Sequence, residues 1–186
     1  SYTKMREDVG RLTQKYPGVS ENGSVYNHAA VFYAYSLYQH GEHQQAFEVL
    51  KAMIPNFDDA MARGQLPVYI PNYYRGAYYQ LPDHTGRSSQ LFNTGTVAWV
   101  YRCIIEELVG LKGMEGKLVV NPKLPDCINE LTGVRHFLGA TFEFSIAKQQ
   151  QSDIKVSVNG IALSTNIIDE ARRDQARVLK EERKIA

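Results

Sequence analysis

The spacing of apolar residues changes once along this chain, near residue 113, and that change constrains the fold more than any other feature. Before it, apolar positions recur at the three- and four-residue intervals of an amphipathic helix. After it come short β-rich runs punctuated by turns. From Asn27, the residues Ala30, Phe32, Tyr33, Leu37 and Tyr38 predict a helix that Gly41 breaks. Ala46, Phe47, Val49, Leu50, Met53 and Ile54 predict a second helix, which Pro55 stops. A third is expected from about Thr96 to Leu108, carrying Val97, Trp99, Val100, Ile104 and Ile105, with Gly110 and Gly113 ending it. Between the second and third, residues 56–93 hold Pro67, Pro71, Gly76, Pro82 and Gly86 with little periodicity, which reads as one long loop. Structureless stretches of that length inside a compact domain are often functional.

Past residue 113, Lys117 to Val120 is a β-rich run closed by Asn121-Pro122. Val134 to Ile146, with Thr141, Phe142 and Phe144, reads as a strand-like stretch. Ile154 to Val158 alternates apolar and polar residues, then turns at Asn159-Gly160 into Ile161-Ala162-Leu163, a strong hairpin signal. The charged end, Asp169 to Ala186, fits either a helix or a loose tail. The expected class is α+β, with helices over residues 1–112 and a sheet domain over residues 113–186. The hairpin at residues 25–54 looks like one unit of a helical repeat, yet no second copy follows at a fixed period. One such unit cannot bury its own face, so these helices are expected to belong to a larger helical assembly lying upstream.

Composition narrows the function classes. A net charge of +1 without blocks of like charge argues against nucleic acid as a partner. No apolar run is long enough to span a bilayer, so no membrane role is expected. The chain starts at Ser1 rather than Met, and we expect that its natural N-terminus lies further upstream. Cys103 and Cys127 have neither zinc nor redox spacing and fit a reduced, cytoplasmic protein. Of 12 tyrosines, many cluster between Tyr69 and Tyr79. Aromatic faces commonly line sugar sites, although tyrosine is also an ordinary half-buried residue.

The segment richest in chemistry runs from Gly86 to Thr96, where Asn93-Thr94-Gly95-Thr96 leads a long loop into the third helix. A helix N-terminus offers unpaired N–H groups and the positive end of its dipole, which suits a phosphate. Gly95 would let the backbone approach the anion, and Thr94 could donate its hydroxyl. The same residues also suit plain capping. The lysine of a Walker loop is absent. His28 stands at a second loop-to-helix junction, within Tyr26-Asn27-His28-Ala29-Ala30. No carboxylate or second histidine accompanies it at metal-ligand spacing, so no metal is expected.

From Glu21 to Ile146 the chain resembles the C-terminal part of glycoside hydrolase family 94, the disaccharide phosphorylases. Glu21-Asn22-Gly23 through Asn27-His28-Ala29-Ala30 and Asn93-Thr94-Gly95-Thr96 through Ala98-Trp99 carry the likeness. Gly110-Leu111, Leu118 to Pro122, and Val134-Arg135 through Gly139-Ala140-Thr141 extend it, so that it covers about two-thirds of the chain. The resemblance implies that residues 1–112 are the closing helices of an (α/α)6 barrel and residues 113–186 a two-layered β-sheet domain. It implies phosphate binding by His28, Thr94 and Gly95. The implied reaction is inverting: phosphate attacks the anomeric carbon while a carboxylic acid protonates the leaving oxygen. Phosphate replaces both the water and the general base of an inverting hydrolase, so one protein carboxyl suffices. In the family that acid is an aspartate upstream of the Asn-His motif. No matching motif occurs here, and none of Asp58, Asp59 and Asp83 is assigned, so this chain alone is expected to be inactive. The resemblance also implies a homodimer with no cofactor, phosphate being a substrate.

The resemblance implies that a segment upstream of His28 contributes to the acceptor site. Arg11 and Lys15 are four apart, so on a helix they project side by side. Two cations suit a carboxylate-bearing acceptor, which arginine can grip bidentately. The pair resembles the family members that cleave cellobionic acid, 4-O-β-D-glucosyl-D-gluconate. The alternative is a solvated face with Glu7 pairing to Arg11. Cellobiose or diacetylchitobiose phosphorylases, a hydrolase on the same barrel, and a helical-repeat interaction module remain open as other functions.

Overall fold

The computed structural model describes residues 1–56, 70–89, 95–149 and 153–173. The chain divides into two compact units, Ser1–Tyr101 and Arg102–Ala186. Both helices and strands are present, in an α+β arrangement of small antiparallel sheets.

In the first unit, Asn27–Gln39 forms α1 and His43–Met53 forms α2. They pack as the expected hairpin. The core face of α1 is Val31, Ala34, Leu37 and Tyr38, set against Ala46, Leu50 and Met53 of α2. These positions recur at helical spacing, and full burial of one such leucine is worth about 1.5–3 kcal/mol. Phe32 and Tyr33, which sequence periodicity groups with the apolar set, face outward and are exposed. Gly41 adopts φ 85°, and Glu42 N–H donates to Leu37 O at 2.9 Å, a glycine-closed helix end. The third helix, α3, spans Gly95–Arg102.

The long loop is not structureless where it is described. Val25–Tyr26 (β1), Tyr73–Tyr74 (β2) and Ser88–Ser89 (β3) form a three-stranded sheet in the order β1-β2-β3. Two-residue strands carry no readable alternation, so the sequence pattern hides them. Asp58, Asp59 and Pro67 lie outside the described residues, as do Phe92, Asn93 and Thr94 and the tail from residue 174.

In the second unit the predicted third helix continues differently. Cys103–Leu108 is π-helical, with Val109 N–H reaching Ile104 O at 2.8 Å, five residues back. Leu111–Met114 (β4) then pairs with Lys117–Val120 (β5), where the sequence predicts only a helix end at Gly110 and Gly113. Ile167–Ile168 (β10) adds to the other edge of β5. The single stretch expected from Val134 to Ile146 is a hairpin of Glu130–Phe137 (β6) and Ala140–Ala147 (β7). The Asn159-Gly160 hairpin forms as expected, between Ser157–Val158 (β8) and Ile161–Ala162 (β9). Among the described residues of this unit, three hairpins turn on two residues at positive φ: Glu115-Gly116, Leu138-Gly139 and Asn159-Gly160. Such turns match the twist of the flanking strands. Val109, Leu111, Leu118, Val120, Ala140, Phe142 and Ile168 make the core of this unit.

Candidate functional site

The two motifs singled out from sequence meet at the starts of α1 and α3. His28 lies in the first turn of α1 and Gly95 opens α3. A methyl group built on Gly95 would stand 2.7 Å from His28 Nε2 and 2.9 Å from its Cε1. Only a residue without a side chain lets the imidazole lie over this helix start, so the glycine serves close approach rather than an unusual backbone angle. The third member of the expected set, Thr94, lies outside the described residues.

A buried polar network holds the two helix starts. Asn27, 2% exposed, donates its side-chain N–H to Pro71 O at 2.7 Å and its backbone N–H to Asn72 O at 2.9 Å. The Thr96 hydroxyl donates to Asn72 Oδ1 at 2.9 Å, and Thr96 is 1% exposed. The segment Pro71-Asn72 thus ties α1 to α3 one residue from His28 and one residue from Gly95. Buried polar groups left unsatisfied are costly, so a network of this kind fixes geometry. Neither Asn27 nor Asn72 was singled out as a site residue, since asparagine in a loop signals a turn far more often than a tie.

Around His28 runs a row of rings. Tyr26 stacks on Tyr73, its cross-strand partner, with centroids 4.7 Å apart. Tyr26 Oη lies 3.3 Å from His28 Nδ1. His28 meets Phe32 at 4.8 Å, and Phe32 meets Trp99 edge-on at 4.9 Å. Burial, with smaller contributions from Tyr26 and Glu21, pushes the Tyr73 hydroxyl above the usual tyrosine range. Of the tyrosine-rich stretch, Tyr73 and Tyr74 are half-buried in β2, whereas Tyr78 and Tyr79 are exposed.

Chemically, the arrangement sets an imidazole against the start of α3, where the positive end of a helix dipole suits an anion.

The two predicted acceptor cations also converge, though not on a full helix. Gly10–Gln14 is a short 3-10 helix, and Lys15 follows it in extended conformation. Both cations reach the same carboxylate, with Arg11 Nη2 at 3.7 Å from Glu21 Oε1 and the Lys15 ammonium on Glu21 Oε2. The partner of Arg11 is therefore Glu21, across the loop, instead of Glu7. The Lys15 hydrogen bond, joined by a backbone hydrogen bond, holds the Glu21 carboxyl below its ordinary range. Buried Asn22 stitches this loop, donating to Lys15 O at 2.8 Å and accepting from Tyr2 N–H at 2.7 Å.

Comparison with known families identifies the helical unit as a carbohydrate-active catalytic domain. The profile described as glycosyl hydrolase 94 superfamily, catalytic domain, matches residues 1–110. The chain belongs to that family. It is 54% identical over 158 residues to a cellobionic acid phosphorylase of Neurospora crassa, covering 83% of this chain and 20% of that protein. It is 31% identical over 160 residues to a 3-O-beta-D-glucopyranosyl-beta-D-glucuronide phosphorylase of Paenibacillus borealis, covering 82% of this chain and 20% of that protein. An N,N'-diacetylchitobiose phosphorylase of Vibrio furnissii is 26% identical over 171 residues, covering 91% and 21%. The chain spans about a fifth of the length of each of these relatives.

Proposed function

We propose that this chain is the C-terminal part of an inverting phosphorylase that converts cellobionic acid and phosphate to glucose 1-phosphate and gluconate. The observation that carries the reading is the imidazole of His28 lying against Gly95 at the start of α3. There phosphate would accept from the imidazole and from helix N–H groups, with the Thr94 hydroxyl as a third donor. Held so, one phosphate oxygen is free to attack the anomeric carbon. The general acid, an aspartate in the family, lies upstream of this chain in the full-length protein. Residues 1–112 are the last helices of an (α/α)6 barrel and residues 113–186 a two-layered sheet domain. The enzyme needs no cofactor, acts in the cytoplasm and is a homodimer.

Acceptor choice rests on Arg11 and Lys15. Glu21 neutralises one of the two charges and keeps both cations in one place, leaving a net positive cluster for the gluconate carboxylate. Two relatives whose names specify acidic sugars, cellobionic acid and a glucuronide, support a carboxylate-bearing acceptor. The deciding experiment is phosphorolysis of cellobionic acid by the full-length protein, with and without phosphate. Glucose 1-phosphate formed only with phosphate supports the reading. Free glucose formed from water alone would make the protein a hydrolase.

A further inference from the structure

We infer that Tyr26 is a positioning residue for His28: its hydroxyl engages Nδ1 and so leaves Nε2–H as the donor directed at the start of α3. The inference rests on the phosphate reading above and adds to it a residue that acts through the histidine.

The geometry is specific. Tyr26 closes β1 and immediately precedes α1, whose second residue is His28. Its Oη lies 3.3 Å from Nδ1, and the rings meet edge-on with centroids 5.9 Å apart. The other ring nitrogen, Nε2, is the atom nearest to a side chain built on Gly95. One nitrogen is therefore occupied by the tyrosine, and the other faces the candidate anion site.

The direction of that hydrogen bond follows from the two groups. A phenol is a good donor and a poor acceptor, while the bare nitrogen of a neutral imidazole is a strong acceptor. The favoured arrangement is O–H···Nδ1, which places the ring hydrogen on Nε2. If the imidazole becomes protonated, the phenol oxygen accepts from Nδ1–H instead, and Nε2 still carries a hydrogen. The opposite neutral tautomer would aim a lone pair at a phosphate oxygen, and it is the form that the tyrosine disfavours.

The tyrosine is itself held. Its ring stacks on Tyr73 at an interplanar angle of 15°, and the two residues are directly paired in the β1-β2 register. On the other flank Phe32 packs against the imidazole at 4.8 Å, limiting rotation of the ring. The stacking uses the ring of Tyr26 and the positioning uses its hydroxyl, so a phenylalanine separates the two contributions.

The test is steady-state kinetics of full-length wild-type, Tyr26→Phe, His28→Ala and Tyr33→Phe proteins, with thermal unfolding of each. A neutral hydrogen bond carries a net worth of about 0.5–1.5 kcal/mol, so Tyr26→Phe should raise KM for phosphate by about two- to tenfold. KM for the disaccharide and the unfolding temperature should stay at their wild-type values. Tyr33→Phe, which removes an exposed hydroxyl from the same helix, should change nothing. If His28→Ala raises KM for phosphate while Tyr26→Phe leaves it unchanged, the positioning role is overturned and the phosphate reading stands. A fall in unfolding temperature together with a rise in both KM values would also overturn it, since that marks a packing role. If His28→Ala itself leaves phosphate use intact, the phosphate reading fails and this inference with it.

Discussion

Thr96 and Asn72 share a buried hydrogen bond of 2.9 Å, and through it the start of α3 is fastened to the Pro71-Asn72 segment that also holds the start of α1. The consequence is that two residues remote in sequence, His28 and Gly95, keep a fixed separation without touching through a tie of their own.

Loosening that tie should therefore weaken phosphate use without removing any group that touches phosphate. Thr96→Val removes the donor of this buried hydrogen bond, and losing one such bond costs about 0.5–1.5 kcal/mol. We expect a lower unfolding temperature and a higher KM for phosphate in the full-length enzyme. A variant that loses stability with KM unchanged would show that the network serves folding alone.

Gly95→Ala should separate helix propensity from site geometry. Gly95 is the first residue of α3, where the interior preference of about 1 kcal/mol for alanine is largely absent, so propensity alone predicts little change in stability. The added methyl would nevertheless meet His28 Nε2 at 2.7 Å and displace the imidazole. The expected result is a raised KM for phosphate with little or no loss of stability, read from initial rates over a phosphate series.

Acceptor selectivity should follow Arg11 and Lys15. In reverse synthesis from glucose 1-phosphate, the wild-type enzyme should use gluconate in preference to glucose, because only the carboxylate gains charge-assisted contacts with the net positive cluster. Replacing Arg11 by Glu and Lys15 by Tyr should lower synthesis with gluconate. Wild-type rates that are equal for the two acceptors would reduce the pair to a solvated cluster around Glu21.

In the second unit, Lys123 pairs with Glu107, whose side chain is only 3% exposed. Lys123→Met would leave a buried carboxylate without its countercharge, a loss of about 3–5 kcal/mol. The double variant with Glu107→Leu should recover most of that, since two well-packed apolar groups can replace a buried pair. Thermal unfolding of the three proteins measures both effects.

Burial pushes the Cys103 thiol up to about 12 from an ordinary value of 9.0, whereas Cys127 is exposed. Between those two pH values the unfolded chain loses the thiol proton and the folded chain keeps it, so stability falls as pH rises. Cys103→Ala should flatten that alkaline slope, measured as unfolding temperature against pH. At neutral pH a thiol reagent should label Cys127 and spare Cys103, which mass spectrometry reads directly.

Elements with long periods and strong punctuation are legible from the residues alone. The α1-α2 hairpin follows from apolar spacing plus Gly41 and Pro55, and the β8-β9 hairpin from Asn159-Gly160. The other two hairpins were not legible, because their turns are Glu115-Gly116 and Leu138-Gly139. Their first residues adopt positive φ at a steric cost that only the paired strands repay. The motifs around His28 and Gly95 could be flagged, since histidine, threonine and glycine at helix starts have a chemical use. Their adjacency could not, because it depends on Asn72 reaching Thr96 and Asn27 across sequence separations of 24 and 45 positions. The same holds for Glu21, which local spacing would have passed over in favour of Glu7 as the partner of Arg11. Local periodicity reports what a segment can bury, and only tertiary packing decides which polar groups meet once it is buried.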